Sequence, residues 1–111
     1  MHGTVAETRT WLRELRPLVA GVGDREIVVA PPFTSLAAAA AELAGSNVAL
    51  AAQNVHWEAK GAFTGEVSPA MLLEAGCDRV IVGHSERRQL FGETDEGVRR
   101  RLGRALAAGL G

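Results

Sequence analysis

The chain is poor in the features that would place it outside the ordinary globular class. It has one cysteine, Cys77, so no internal disulfide can form, and a reducing, cytoplasmic setting is expected. It has no surplus of basic charge. Lys and Arg total 12 against 13 Asp and Glu, a net charge of −1, which argues against a nucleic-acid binder. No apolar run approaches the roughly 20 residues of a membrane span, because Glu42 interrupts the alanine-rich stretch from Leu36 to Ala44. No basic segment followed by an apolar run marks a leader at the N-terminus. His2, His56, His84 and Cys77 lack the close paired spacing of a zinc site, so no metal is expected. Neither a G-x-G-x-x-G turn after a strand nor a phosphate-binding G-x-x-x-x-G-K-[ST] loop occurs.

What remains is 47% apolar and 23% charged, enough for a packed core under a soluble surface. Thr4 and Glu7 form a capping-box pattern, and Val5, Leu12, Leu15 and Val19 follow at helical spacing. Pro17 predicts a kink or an end near Leu15. Ile27 to Ala30 is a short, wholly apolar, β-branched run. It does not alternate, so both of its faces are expected to be buried, as in a parallel sheet. Pro31 and Pro32 stop it, and Thr34 or Ser35 can cap a helix running to Leu43.

A second strand is predicted over Val48 to Gln53. The segment from Asn54 to Val67 has no clear period and far exceeds the usual βα connection of about 2–6 residues. Ser68 and Pro69 open a third helix that Gly76 ends, and Val80 to Gly83 reads as the third strand. The last helix starts at Thr94, with Val98, Leu102 and Leu106 expected inward and Gly109 at its end. Arg99, Arg100, Arg101 and Arg104 are expected to spread over a solvated face. Strict α, β alternation implies parallel strands, either as an open doubly wound sheet or as part of a (β/α) barrel.

Each predicted strand changes character at its C-terminal end, meeting Pro31, Gln53 with Asn54, and His84 in turn. In α/β folds those ends share the rim where ligands bind, so Gln53, Asn54 and His84 are expected to converge. "VIVGHSERR" at 80–88 brings an imidazole to that rim straight after a glycine. A lone rim histidine is commonly structural, satisfied by a backbone carbonyl. Against that, Gly83 admits a close approach, and a helical turn over Ser85 to Arg88 would aim its positive end at the ring. Such an environment favours a neutral imidazole able to donate to a substrate oxygen. Glu86, Arg87 and Arg88 also fit plain surface ion pairs, and Cys77 reads as packing rather than a nucleophile.

The stretch "AAQNVHWEAKGAFTGEVSPAMLLEAGCDRVIVGHSERRQLFGETDE" resembles the triosephosphate isomerase family. "GHSERR", the preceding "AQN" and "GAFTGE", and "VAPPFTSL" carry the resemblance. "MHGT" is similar to the end of the family's N-terminal motif, so the likeness spans essentially the whole chain.

The resemblance implies a partial (β/α)8 TIM barrel: one incomplete α/β domain over 1–111 holding strands 2 to 4 with flanking helices. It implies interconversion of dihydroxyacetone phosphate and glyceraldehyde 3-phosphate through an enediol(ate), without a cofactor and in the cytoplasm. His84 matches the electrophile; that a neutral histidine serves there is an established property of the family. Glu86 matches the supporting carboxylate. Thr64, on the 54–67 loop, matches the threonine that reaches across a homodimer interface. Glu66 and Arg87 match an inter-subunit ion pair, and Met1 falls in the same interface group. Gln53, Asn54 and Ser85 match residues bracing the rim.

A whole barrel takes about 250 residues. The family's first strand, with its asparagine and lysine, is expected before Met1. Its glutamate base, lid and glycine-rich phosphate loop are expected after Gly111. The chain by itself is therefore expected to be inactive, and to aggregate or stay molten at its unprotected edges Val48–Ala52 and Val80–Val82. A non-catalytic partial-barrel module, binding a partner through the long loop or completed by a second chain, is the alternative.

Overall fold

A computed structural model describes residues 1–111. The order is α1 (Val5–Val19), β1 (Ile27–Val29), α2 (Leu36–Leu43), β2 (Val48–Ala52), α3 (Pro69–Glu74), β3 (Arg79–Val80), α4 (Ser85–Leu90) and α5 (Asp95–Ala108). The caps explain several boundaries. Thr4 Oγ1 accepts the Glu7 N–H while the Glu7 carboxylate accepts the Thr4 N–H at 2.7 Å, closing the capping box. Ser68 caps α3 ahead of Pro69, Thr94 caps α5, and Gly109 ends α5 at φ 88°.

Pro17 neither kinks nor ends α1. It lies in the last turn with its ring exposed, and Leu15 and Val19 on either side pack against the core. That packing carries the helix past one missing ladder bond. Ser35 closes a 3-10 turn (Phe33–Ser35) before α2 and offers no side-chain cap. β3 is shorter than the predicted Val80–Gly83 because the chain turns at Gly83 to start α4.

The three strands are parallel and lie in sequence order, β1–β2–β3, with Val29 opposite Leu50 and Ala52 opposite Val80. A doubly wound sheet would reverse its strand order at a switch point; here each crossover moves one place in the same direction, as in a barrel wall. β2 is therefore the central strand. The concern over an unprotected Val48–Ala52 edge is removed, and the edges are β1 and β3. At β3, Arg79 forms a 2.6 Å ion pair with Glu26, next to β1. On its outer side Gly111 pairs in parallel fashion, accepting from Val80 N and donating to Asp78 O.

The core occupies one face of this sheet. Leu12, Leu36, Ala39 and Leu43 from the helices meet Val29, Val48, Leu50 and Ala52 from the strands, with Val55, Leu72 and Leu110 fully buried. The other face is open towards its edges, although Ala51 at its centre is buried. Val28 is 43% exposed and Ile81 37%, so β1 is not buried on both faces. α5 also differs from its reading. Arg101 and Ala105 are its buried residues, while Leu102 and Leu106 are exposed. Each of those leucines lies one residue, about 100°, round the helix from the inward line.

Candidate active site

β3 ends by delivering Gly83 and His84 to the rim. Gly83 sits at φ 69°, and a Cβ there would lie 3.1 Å from the Val98 methyls and 3.3 Å from the Arg88 guanidinium. Only glycine allows this turn under α5. Arg88 completes it, donating from Nε to the Gly83 carbonyl at 3.0 Å and pairing with Asp95 at 2.6 Å.

His84 is the N-cap of α4, and its Nδ1 accepts the Glu86 backbone N–H at 3.2 Å. Imidazole thus takes the place of the usual hydroxyl or carboxylate cap. The neutral ring that accepts at Nδ1 carries its proton on Nε2, the nitrogen left free to donate. The ring is 46% exposed and the Glu86 side chain 70%. Their closest approach, 3.9 Å, is a loose contact.

Gln53, Asn54, His84, Glu86, Arg87 and Met1 line one cleft of about 410 Å³. Gln53 Nε2 donates to the Ala30 carbonyl at 2.8 Å, tying the end of β1 to the end of β2. Asn54 is buried, and its Oδ1 accepts from Arg101 at 3.2 Å. Ser85 is exposed at the first position of α4. A larger groove, about 550 Å³, lies at the opposite strand ends between Arg16 and Asn47. Its Arg13 is already paired with Glu42, and no carboxylate, histidine or cysteine lines it to activate the one hydroxyl there, Ser46.

The 54–67 loop has a built base and an exposed tip. The His56 backbone N–H donates to the Val67 carbonyl at 2.9 Å, and the His56 ring is stacked on Trp57 and tilted against Phe63, each with ring centres 4.4 Å apart. Thr64 stands exposed in the turn at the tip. Glu66 and Arg87 do not meet within the chain. Glu66 lies 3.2 Å from His56 Nδ1 and 3.7 Å from Arg101, while Arg87 pairs with Glu93 at 3.2 Å.

Arg101 is the main residue missed by sequence reasoning: its side chain is 8% exposed, inside a run that reads as solvated. Glu93, 3% exposed, was hidden in a loop, and nothing in its spacing marks it. Arg99 and Arg100 behave as read, hydrogen-bonding Glu96 and holding its carboxyl down at about 2. Cys77 is buried, and burial, with a smaller push from Asp78, raises its thiol to about 11, which suits packing. No three His, Cys, Asp or Glu side chains stand close enough to hold a metal ion. No helix is long and apolar enough to cross a membrane.

Among known proteins, the family model described as triosephosphate isomerase matches residues 1–111. The triosephosphate isomerase of Pelobacter propionicus is 60% identical over 110 residues, covering 99% of this chain and 44% of the relative. That of Chloroflexus aurantiacus is 56% identical over 110 residues, with the same coverage of 99% and 44%. A crystal structure of triosephosphate isomerase from Bartonella henselae superposes with a TM-score of 0.92 at 39% identity, covering 99% of this chain and 45% of that one. The chain thus spans less than half the length of the curated relatives it matches.

Proposed function

The chain belongs to the triosephosphate isomerase family, and from that premise we propose that it supplies the electrophilic wall of a cofactor-free triose-phosphate isomerase. The reaction is interconversion of dihydroxyacetone phosphate and glyceraldehyde 3-phosphate by proton transfer through an enediol(ate). His84 donates from Nε2 to the substrate carbonyl oxygen as negative charge develops on it, and Glu86 supports the site. The observation that carries this reading is the N-cap bond from Glu86 N–H to His84 Nδ1 at a rim cleft. It fixes ring and tautomer in advance, which is how preorganised donors lower a barrier.

The proposal extends to the quaternary level. Thr64 at the exposed loop tip, with Glu66, Arg87 and Met1, would meet a second copy of the subunit in a cytoplasmic homodimer. The only carboxylate lining the cleft is Glu86, which the family pattern casts as support, so the base that moves the carbon-bound proton must come from elsewhere in the subunit. General acid–base catalysis contributes about 10²–10⁴-fold, so residues 1–111 alone should turn over no substrate. The open sheet face bearing Val28 and Ile81 weighs against a self-sufficient binding module.

The test is the intact mass of the native gene product together with its isomerase rate on glyceraldehyde 3-phosphate. A product near the mass of a whole barrel, active without added metal or cofactor, supports the proposal. An 11.7 kDa product that turns over at an ordinary enzymatic rate by itself overturns the division of labour proposed here.

A further inference from the structure

We propose that Arg101 is a positioning residue of the rim, pinning the start of the 54–67 loop to the helix that presents His84. On its catalytic side this rests on the isomerase reading above; on its structural side it stands alone.

The geometry is a buried relay of charge. From α5, Arg101 NH1 donates to Asn54 Oδ1 at 3.2 Å and to the Val55 carbonyl. Its Nε lies 3.0 Å from Glu93 Oε1, and its guanidinium carbon 5.0 Å from the centre of the Trp57 ring. The Nε contact is off-axis, a charge contact more than an aligned hydrogen bond, since Arg101 Nε has no hydrogen-bond partner. The same Glu93 oxygen accepts from Arg87 Nε at 3.2 Å. Arg87 belongs to α4, three residues after His84, and lines the cleft. One carboxylate, 3% exposed, therefore joins a guanidinium that grips Asn54 and Val55 to a guanidinium on the helix of His84.

A surface arginine would not do this. Its neighbour Arg99 serves only Glu96 on the solvent side, and Arg100 shares Glu96 while its guanidinium carbon lies 5.8 Å from the centre of the Trp57 ring. Burying a guanidinium and a carboxylate is unfavourable unless both are paired, so the relay has few alternative arrangements. A planar fork holds two acceptors at fixed angles, and a lysine of equal charge does not. Loss of the fork should let the loop root and α4 shift relative to each other, and a misplacement of about 1 Å can cost about 10²-fold in rate.

The test uses the whole gene product that carries this segment, with Arg101→Lys, the control Arg99→Lys, and the paired variant Arg101→Met/Glu93→Met, which removes both buried charges together. Amide exchange is read at His56 and Arg88, whose N–H groups bond Val67 O and His84 O, and along α1 as reference. Arg101→Lys and the paired variant should lose about tenfold or more of protection at the loop root and α4 with α1 unchanged. Each should also lose about tenfold in kcat with KM within about twofold. Arg99→Lys should match the parent in both. Parent-like exchange and kcat in Arg101→Lys, or exchange raised equally along α1, would overturn the proposal. If the parent itself has no isomerase activity, the functional reading falls, and the exchange pattern still decides the role of Arg101.

Discussion

His84 and Glu86 are joined across the first turn of α4: the Glu86 N–H donates to His84 Nδ1 at 3.2 Å. The contact ties together what a catalytic imidazole needs, a fixed ring and a proton on the nitrogen away from the cap. Helix capping and tautomer selection are here one hydrogen bond. The glycine before it supplies the turn, and Arg88 and Asp95 lock that turn from below.

Capping and catalysis can be separated by substitution. Asn is a good N-cap, because its side-chain oxygen can also accept from the first-turn N–H groups. In the whole subunit, His84→Asn should leave the urea midpoint of unfolding nearly unchanged, since the ring is half exposed and the cap is kept. It should lower kcat by about 10²–10³, the usual loss for removing a preorganised donor. A variant that keeps full activity would remove His84 from the mechanism.

How far the sequence reached depended on how local each determinant was. The capping box at Thr4, the Ser68–Pro69 start and the Gly109 stop are set within a few residues, and each was legible. Gln53, Asn54 and His84 could be grouped because parallel strands put their C-terminal ends on one rim. Val28 and Leu102 were misplaced because burial depends on what covers a face, which β-branching and spacing do not encode. Arg101 was misread for the same reason. Its partners Asn54, Val55 and Glu93 come from two other parts of the chain, and no local pattern separates it from Arg100.

Two glycines divide backbone strain from steric exclusion. Gly109 has φ 88° with nothing near its missing Cβ, so Gly109→Ala should cost about 1–2 kcal/mol, the left-handed penalty alone. Gly76 has φ 92°, and a Cβ there would fall 2.7 Å from the Ala40 methyl of α2. Gly76→Ala should add overpacking of about 1–3 kcal/mol to the same penalty. Urea unfolding of the two variants in the whole subunit should rank them in that order. Equal losses would mean that α2 and α3 part freely.

Burial of Cys77 sets a pH window. The folded thiol is raised from 9.0 to about 11, chiefly by desolvation. In that interval the folded state keeps a proton that the unfolded chain has released. The contribution is fully present below pH 9, falls as pH rises towards about 11, and is absent as a slope in Cys77→Ala. At pH 8, two pK units reduce the thiolate fraction about a hundredfold. Alkylation mapped at Cys77 by mass spectrometry should therefore be at least about that much slower in folded than in urea-unfolded protein. Equal rates would mean that the site opens.

The open sheet face predicts how residues 1–111 behave when produced alone. Val28 on β1 and Ile81 just past β3 are 43% and 37% exposed on a sheet whose opposite face is packed, and Leu90, Leu106 and Phe91, which follows α4, add apolar surface. Exposed apolar area of this kind favours self-association. The isolated polypeptide should bind an apolar dye and sediment as concentration-dependent aggregates. Val28→Thr with Ile81→Thr keeps β-branched side chains suited to a strand while making the face polar, so it should reduce both signals. The helix-covered core of Leu12, Leu50 and Leu72 is untouched by that change. If the parent segment instead gives a sharp, reversible melt as a monomer, the helix-side core suffices to hold the sheet, and the open face is a tolerated surface.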